Sequence, residues 1–127
     1  MTFGWRGRNE IETVSVEDDP ARERLVAKID AVRERFLVSL DARRRGLIDL
    51  CNQATGEETG PAGEARLALR RGLHNLAGAA ATLGLTELGR DASDIEAVVV
   101  AAIAGDRPFD ASLTREVIAR LEGLAQG

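Results

Sequence analysis

His74 is the only histidine in a chain of 127 residues, and a single imidazole admits a short list of chemistry. Neutral imidazole is nucleophilic near pH 7 and can carry a phosphoryl group as a phosphoramidate. General-base work would need a pocket and a second polar group close by. Metal binding fails on counting, because His74 and the single Cys51 stand more than twenty residues apart and the chain has no other His or Cys. The imidazole opens the stretch "HNLAGAAATLG", residues 74–84, where small residues stand in place of the bulk a buried helix usually carries. Gly78 within a helix costs about 1 kcal/mol relative to Ala, a cost that usually has a packing or functional reason. Ala77, Ala79 and Ala81 continue the low relief, so another protein's surface could reach the ring. Arg70 and Arg71 lie one turn before it and could pair with a phosphoryl group or an acidic partner.

These residues need a helix to position them, and the pattern predicts one from about Glu64 to Thr82. Leu69, Leu73, Leu76, Ala80 and Leu83 fall in one sector of the helical wheel, the core face, and His74 lies roughly 140° from its centre. The imidazole therefore looks outward, with Arg70, Arg71, Ala77 and Gly78 as surface neighbours and Leu67 and Ala81 a further turn away. An ordinary exposed histidine beside a close helix crossing has the same pattern, so geometry alone leaves both readings standing.

The remaining elements follow from periodicity and punctuation. Residues 1–18 mix Gly, Thr, Ser and acids without a period and read as a flexible N-terminal arm, with a short strand or turn near Trp5. Asp19 and Pro20 open a helix, whose stripe of Leu25, Ile29, Val32, Phe36 and Leu40 predicts one buried face. The stripe then meets Arg43 and Arg44 and resumes only at Leu47, Leu50 and Cys51, which predicts a bend or break near Asp41. Residues 54–63, "ATGEETGPAG", read as a loop. Gly84 ends the histidine helix, and Thr86 caps a helix with Leu88, Ala92, Ile95, Val99 and Ile103 on one face. Asp110 caps a last helix carrying Leu113, Val117, Leu121 and Leu124. Short connections favour antiparallel neighbours, so the expected fold is all-α, an antiparallel four-helix bundle over residues 19–127 with an additional N-terminal helical segment.

Composition narrows the function classes. The length fits one domain but is short for one with its own nucleotide site. The formal charge is −4 with Arg and Glu interspersed, a poor match for nucleic acid. No signal-peptide pattern opens the chain, and even "AVVVAAIAG" is far short of the roughly 18 apolar residues of a membrane span. A lone Cys51 forms no internal disulfide. A cytoplasmic protein is expected.

The stretch "LHNLAGAAATLG" resembles the phosphoacceptor signature of histidine-containing phosphotransfer domains, His-x-Leu-Lys-Gly with a second Gly six residues on, here His74, Leu76, Ala77, Gly78 and Gly84. Downstream "LTELGRDASDIE" is similar to the family at Leu88, Ile95 and Glu96, as is upstream "VRERFLVSLDARRRGLIDL". The resemblance covers about residues 24–124. It implies a phosphocarrier in a two-component phosphorelay, without kinase or phosphatase activity of its own. His74 would take a phosphoryl group from a receiver-domain aspartate and pass it to another. It also implies partners among response-regulator receivers, including that of a hybrid histidine kinase, with Mg²⁺ on the receiver and no cofactor on this chain, which would act as a monomer. Leu67, Arg70, Arg71, Ala77, Gly78 and Ala81 would form the docking surface, and attack would come from Nε2 with the proton on Nδ1. One departure stands out: Ala77 replaces the family's Lys, and Arg70 or Arg71 could supply the missing charge. A receiver-docking module that carries no phosphate is the main alternative. The dimerisation region of a histidine kinase fits less well, because Asn75 follows His74 where that motif has an acid, and no Pro occurs between His74 and Pro108. The Arg43, Arg44, Arg45 cluster could widen a basic docking surface.

Overall fold

The computed structural model describes residues 19–124, in which four helices and no strand occur: α1 (Pro20–Ala54), α2 (Gly60–Thr82), α3 (Thr86–Ile103) and α4 (Ala111–Glu122). The expected arm over residues 1–18, with its strand or turn near Trp5, lies outside the described residues. Among the described residues two compact units are distinguished, 19–35 and 36–124, with the division inside α1.

In the first unit, Asp19 accepts the Ala21 amide at 3.0 Å, and Pro20 takes the first helical position, where its missing N–H costs nothing. The predicted burial of the stripe does not hold here: Leu25, Ile29 and Val32 are 57%, 42% and 41% exposed. A helical period specifies which face is apolar and leaves open whether anything covers it.

The second unit holds the core. Phe36, Leu40, Leu47 and Cys51 of α1 pack with Leu69, Leu73 and Leu76 of α2, Leu88, Ile95 and Val99 of α3, and Leu113, Val117 and Leu121 of α4. The three predicted stripes of α2, α3 and α4 are thereby realised, with Leu83 and Ile103 at the margin. Asp110 caps α4 as expected, its carboxylate accepting the Leu113 amide at 3.0 Å.

The predicted break near Asp41 is absent, and α1 runs unbroken for 35 residues. Arg44 takes the stripe position between Leu40 and Leu47 and is buried. Its Nε donates to the Leu121 carbonyl at 2.9 Å and its Nη2 to that of Leu124 at 3.3 Å. These carbonyls lie at and just past the end of α4, where the regular helical bonds run out and the Leu124 amide reaches Leu121 at 3.2 Å, and a cation suits that end of the helix dipole. The additional N-terminal segment is thus continuous with the first bundle helix rather than separate from it.

Two boundaries also shift. α2 begins at Gly60, earlier than the loop assignment to residue 63 implied, because Thr59 accepts the Ala62 amide at 3.2 Å and Pro61 occupies the first turn. α3 has Leu85 at its N-cap with no side-chain cap, so Thr86 is its first residue and not its cap.

Candidate functional site around His74

The site follows from the core face of α2. Leu69, Leu73, Leu76 and Ala80 are buried, which turns the opposite side of the helix to solvent, and the His74 side chain is 76% exposed. The outward orientation read from the wheel is therefore correct.

The turn after α2 decides what faces the imidazole. Gly84 takes φ +76°, a left-handed conformation natural to glycine. The Leu85 amide donates to the Ala80 carbonyl at 2.8 Å and that of Gly84 to Ala81 at 3.1 Å, a pairing that ends the helix and reverses the chain. α3 then returns antiparallel to α2 at close range. At Gly89 a Cβ would stand 3.4 Å from the Ala77 carbonyl oxygen and 3.5 Å from the Ala81 nitrogen, leaving room for nothing larger than a methyl group.

That register sets Glu96, one residue past the buried Ile95, beside His74. Glu96 Oε2 lies 3.2 Å from His74 Nδ1, and the Glu96 side chain is only 18% exposed. With the carboxylate as acceptor, the tautomer that satisfies this contact is the one with the proton on Nδ1 and the lone pair on Nε2. Glu96 also supplies the second polar group that general-base chemistry would need. The depressions beside the ring are open, however, and do not enclose a small substrate.

Two such depressions flank the imidazole. One, of about 270 Å³, is lined by Leu67, Arg70, Arg71, His74 and Glu96. The other, of about 420 Å³, includes His74, Ala77, Gly78 and Ala81 from α2 and Arg90 and Ser93 from α3. Leu67, Arg70, Arg71, Ala77, Gly78 and Ala81 therefore each line one side of His74 or the other, whereas Ala79, expected to continue the low surface, packs against the core instead. The Arg43, Arg44, Arg45 cluster does not form one surface: Arg44 is buried, Arg45 pairs with Asp41 at 3.3 Å, and the Arg43 guanidinium lies 5.0 Å from the Phe36 ring centroid.

Gly78 separates the two explanations of the small-residue run. A Cβ there would meet nothing within 4 Å, so packing does not require this glycine. The close helix crossing is real, but it is made by Gly89 against Ala77 and Ala81. Gly78 instead leaves the surface beside the imidazole low.

Sequence reasoning missed the contact between Glu96 and His74 and the placement of Arg90 and Ser93. Residues 22 apart meet only when the register of two helices is known, and that register is set by the turn at Gly84 and the contact at Gly89. Given the antiparallel pair, Arg90, Ser93 and Glu96 were available as the polar residues of α3 at three-residue spacing.

Among protein families, the Hpt domain model matches residues 31–127. No curated protein and no solved structure matches the chain. No described helix is long and apolar enough to cross a membrane.

Proposed function

The chain belongs to the Hpt domain family, the histidine phosphotransfer modules of two-component signalling that interact with receiver domains of response regulators, and from that premise we propose that His74 is its phosphoacceptor. The observation that carries this reading is an imidazole 76% exposed on a rigid helix, with Nδ1 held 3.2 Å from a mostly buried carboxylate.

In the proposed step, the Nε2 lone pair attacks the phosphorus of a receiver's aspartyl phosphate. The N–P bond forms as the P–O bond to the aspartate breaks, and the electron pair leaves on the receiver's carboxylate. The ring becomes cationic with its proton still on Nδ1, and the Glu96 carboxylate stabilises that charge. Reversal onto a second receiver returns the neutral ring. In-line placement and charge neutralisation dominate such transfers. The receiver brings the aspartate and its Mg²⁺, and this chain brings the imidazole, the low Ala77, Gly78 and Ala81 surface, and Arg70 and Arg71. The chain itself then needs no cofactor and acts as a monomer that docks receivers in turn, a hybrid kinase's included.

Ala77, where the family has Lys, favours one second reading: a receiver-docking module that carries no phosphate. The test is to mix radiolabelled phosphorylated receivers briefly with wild type or His74→Gln and resolve them on a gel. Acid-labile label on wild type alone is expected. Receivers that bind but transfer no label to either protein would overturn the carrier reading in favour of docking. If the arginines replace the missing lysine, an Arg70→Ala, Arg71→Ala double variant transfers at least about tenfold more slowly, as expected for losing charge-assisted contacts. An unchanged rate removes that role.

A further inference from the structure

The N-terminal part of α1 lies largely ahead of the family match, which begins at residue 31, and the phosphocarrier reading leaves it without a task. Four of the chain's exposed large hydrophobic residues cluster there: Leu25, Val26, Ile29 and Val32. On a helical wheel Leu25, Ile29 and Val32 occupy a sector of roughly 60°. The charges are sorted around it. Arg22 and Arg33 border the seam on one side, Lys28, Arg35 and Arg24 on the other, and Glu23, Asp30 and Glu34 gather on the far face. Val26 widens the seam slightly beyond Arg33, whose guanidinium is held by Asp30 at 3.3 Å.

We infer that residues 20–35 form one half of a short coiled coil whose other half is an acidic amphipathic helix from another protein. The seam spacing of four then three is that of a heptad, with Leu25 and Val32 equivalent and Ile29 between them. Lys28 and Arg35 fall at one flanking position of that heptad and Arg33 at the other, where a partner's side chains would lie against them. A second copy of this chain would set Lys28 against Arg33, a repulsive pair, whereas Glu or Asp at the partner's flanks completes both edges. An anionic membrane fits less well: surface-seeking helices present a wide continuous apolar face, and here Arg22 and Arg33 interrupt the arc between Ile29 and Val26, leaving the narrow seam that helix pairing uses.

The test uses the full-length protein and a synthetic helical peptide with Leu and Ile at the seam positions and Glu at the flanks. A matched peptide with Lys flanks and vesicles containing phosphatidylglycerol serve as alternatives, and binding is read by fluorescence anisotropy and vesicle sedimentation. The expected result is binding of the Glu peptide that weakens as salt rises and falls at least about tenfold in an Ile29→Ser, Val32→Ser variant. That variant leaves the bundle core untouched, so its helicity and melting should match wild type. Equal binding of both peptides, binding to vesicles alone, self-association without peptide binding, no binding, or an affinity unchanged by the substitutions would each overturn the inference.

Discussion

In the proposed transfer His74 and Glu96, 3.2 Å apart, act as a unit, and substitution of Glu96 separates orientation from docking. Glu96→Ala should slow phosphotransfer roughly tenfold, the scale of one lost charge-assisted hydrogen bond, with receiver affinity little changed. Stopped-flow transfer rates beside equilibrium binding check this, and a loss of affinity with unaltered transfer would place Glu96 in docking instead. Gly78→Ala should raise stability by about 1 kcal/mol, since the position is open and Ala is the better helix former. The same substitution puts a methyl group on the surface beside the imidazole, so transfer should fall while urea denaturation shows the gain. The sequence disclosed His74, its outward direction and its same-helix neighbours, because all depend on the period of one helix. It did not disclose the Glu96 contact, which depends on how two helices are set against one another.

α1 shows how far element reading from sequence extends. Its start was legible in Asp19 and Pro20, and its seam in the spacing of Leu25, Ile29 and Val32, but its continuity through Arg43, Arg44 and Arg45 was not. A charged residue at a stripe position reads as a break unless its partners are known, and besides Asp41 at 3.4 Å the partners of Arg44 are carbonyls at and just past the end of α4, 77 and 80 residues away. Arg44→Ala should therefore destabilise the bundle by about 2 kcal/mol, by removing the hydrogen bonds to the Leu121 and Leu124 carbonyls and emptying the space the side chain fills. Urea denaturation measures that loss. Arg45→Ala, an exposed residue 3.3 Å from Asp41, should change stability by less than about 0.5 kcal/mol.

The helices of the second unit support the exposed imidazole that is the proposed nucleophile. Leucine, isoleucine and valine fill the core around Cys51, whose thiol burial pushes up in pKa while a Thr114 hydrogen bond acts in the opposite direction. A thiol raised in the folded state contributes stability that is complete below its unfolded pKa and fades as pH rises through the folded one. Melting temperature should accordingly fall beyond the ordinary thiol range in wild type, and this part of the fall should be absent in Cys51→Ala. All-α architecture was legible from composition and apolar period, since each of three stripes found its place in the core. The exposure of the α1 seam was not, because nothing in a period states what covers it. Phosphorus–nitrogen NMR on protein with ¹⁵N-labelled histidine, taken after brief exposure to a phosphorylated receiver, tests the central claim most directly. A phosphoramidate on Nε2 of His74 is expected, with the Nδ1 proton retained toward Glu96. Phosphorus on Nδ1, or no phosphoramidate while receivers still bind, would contradict it.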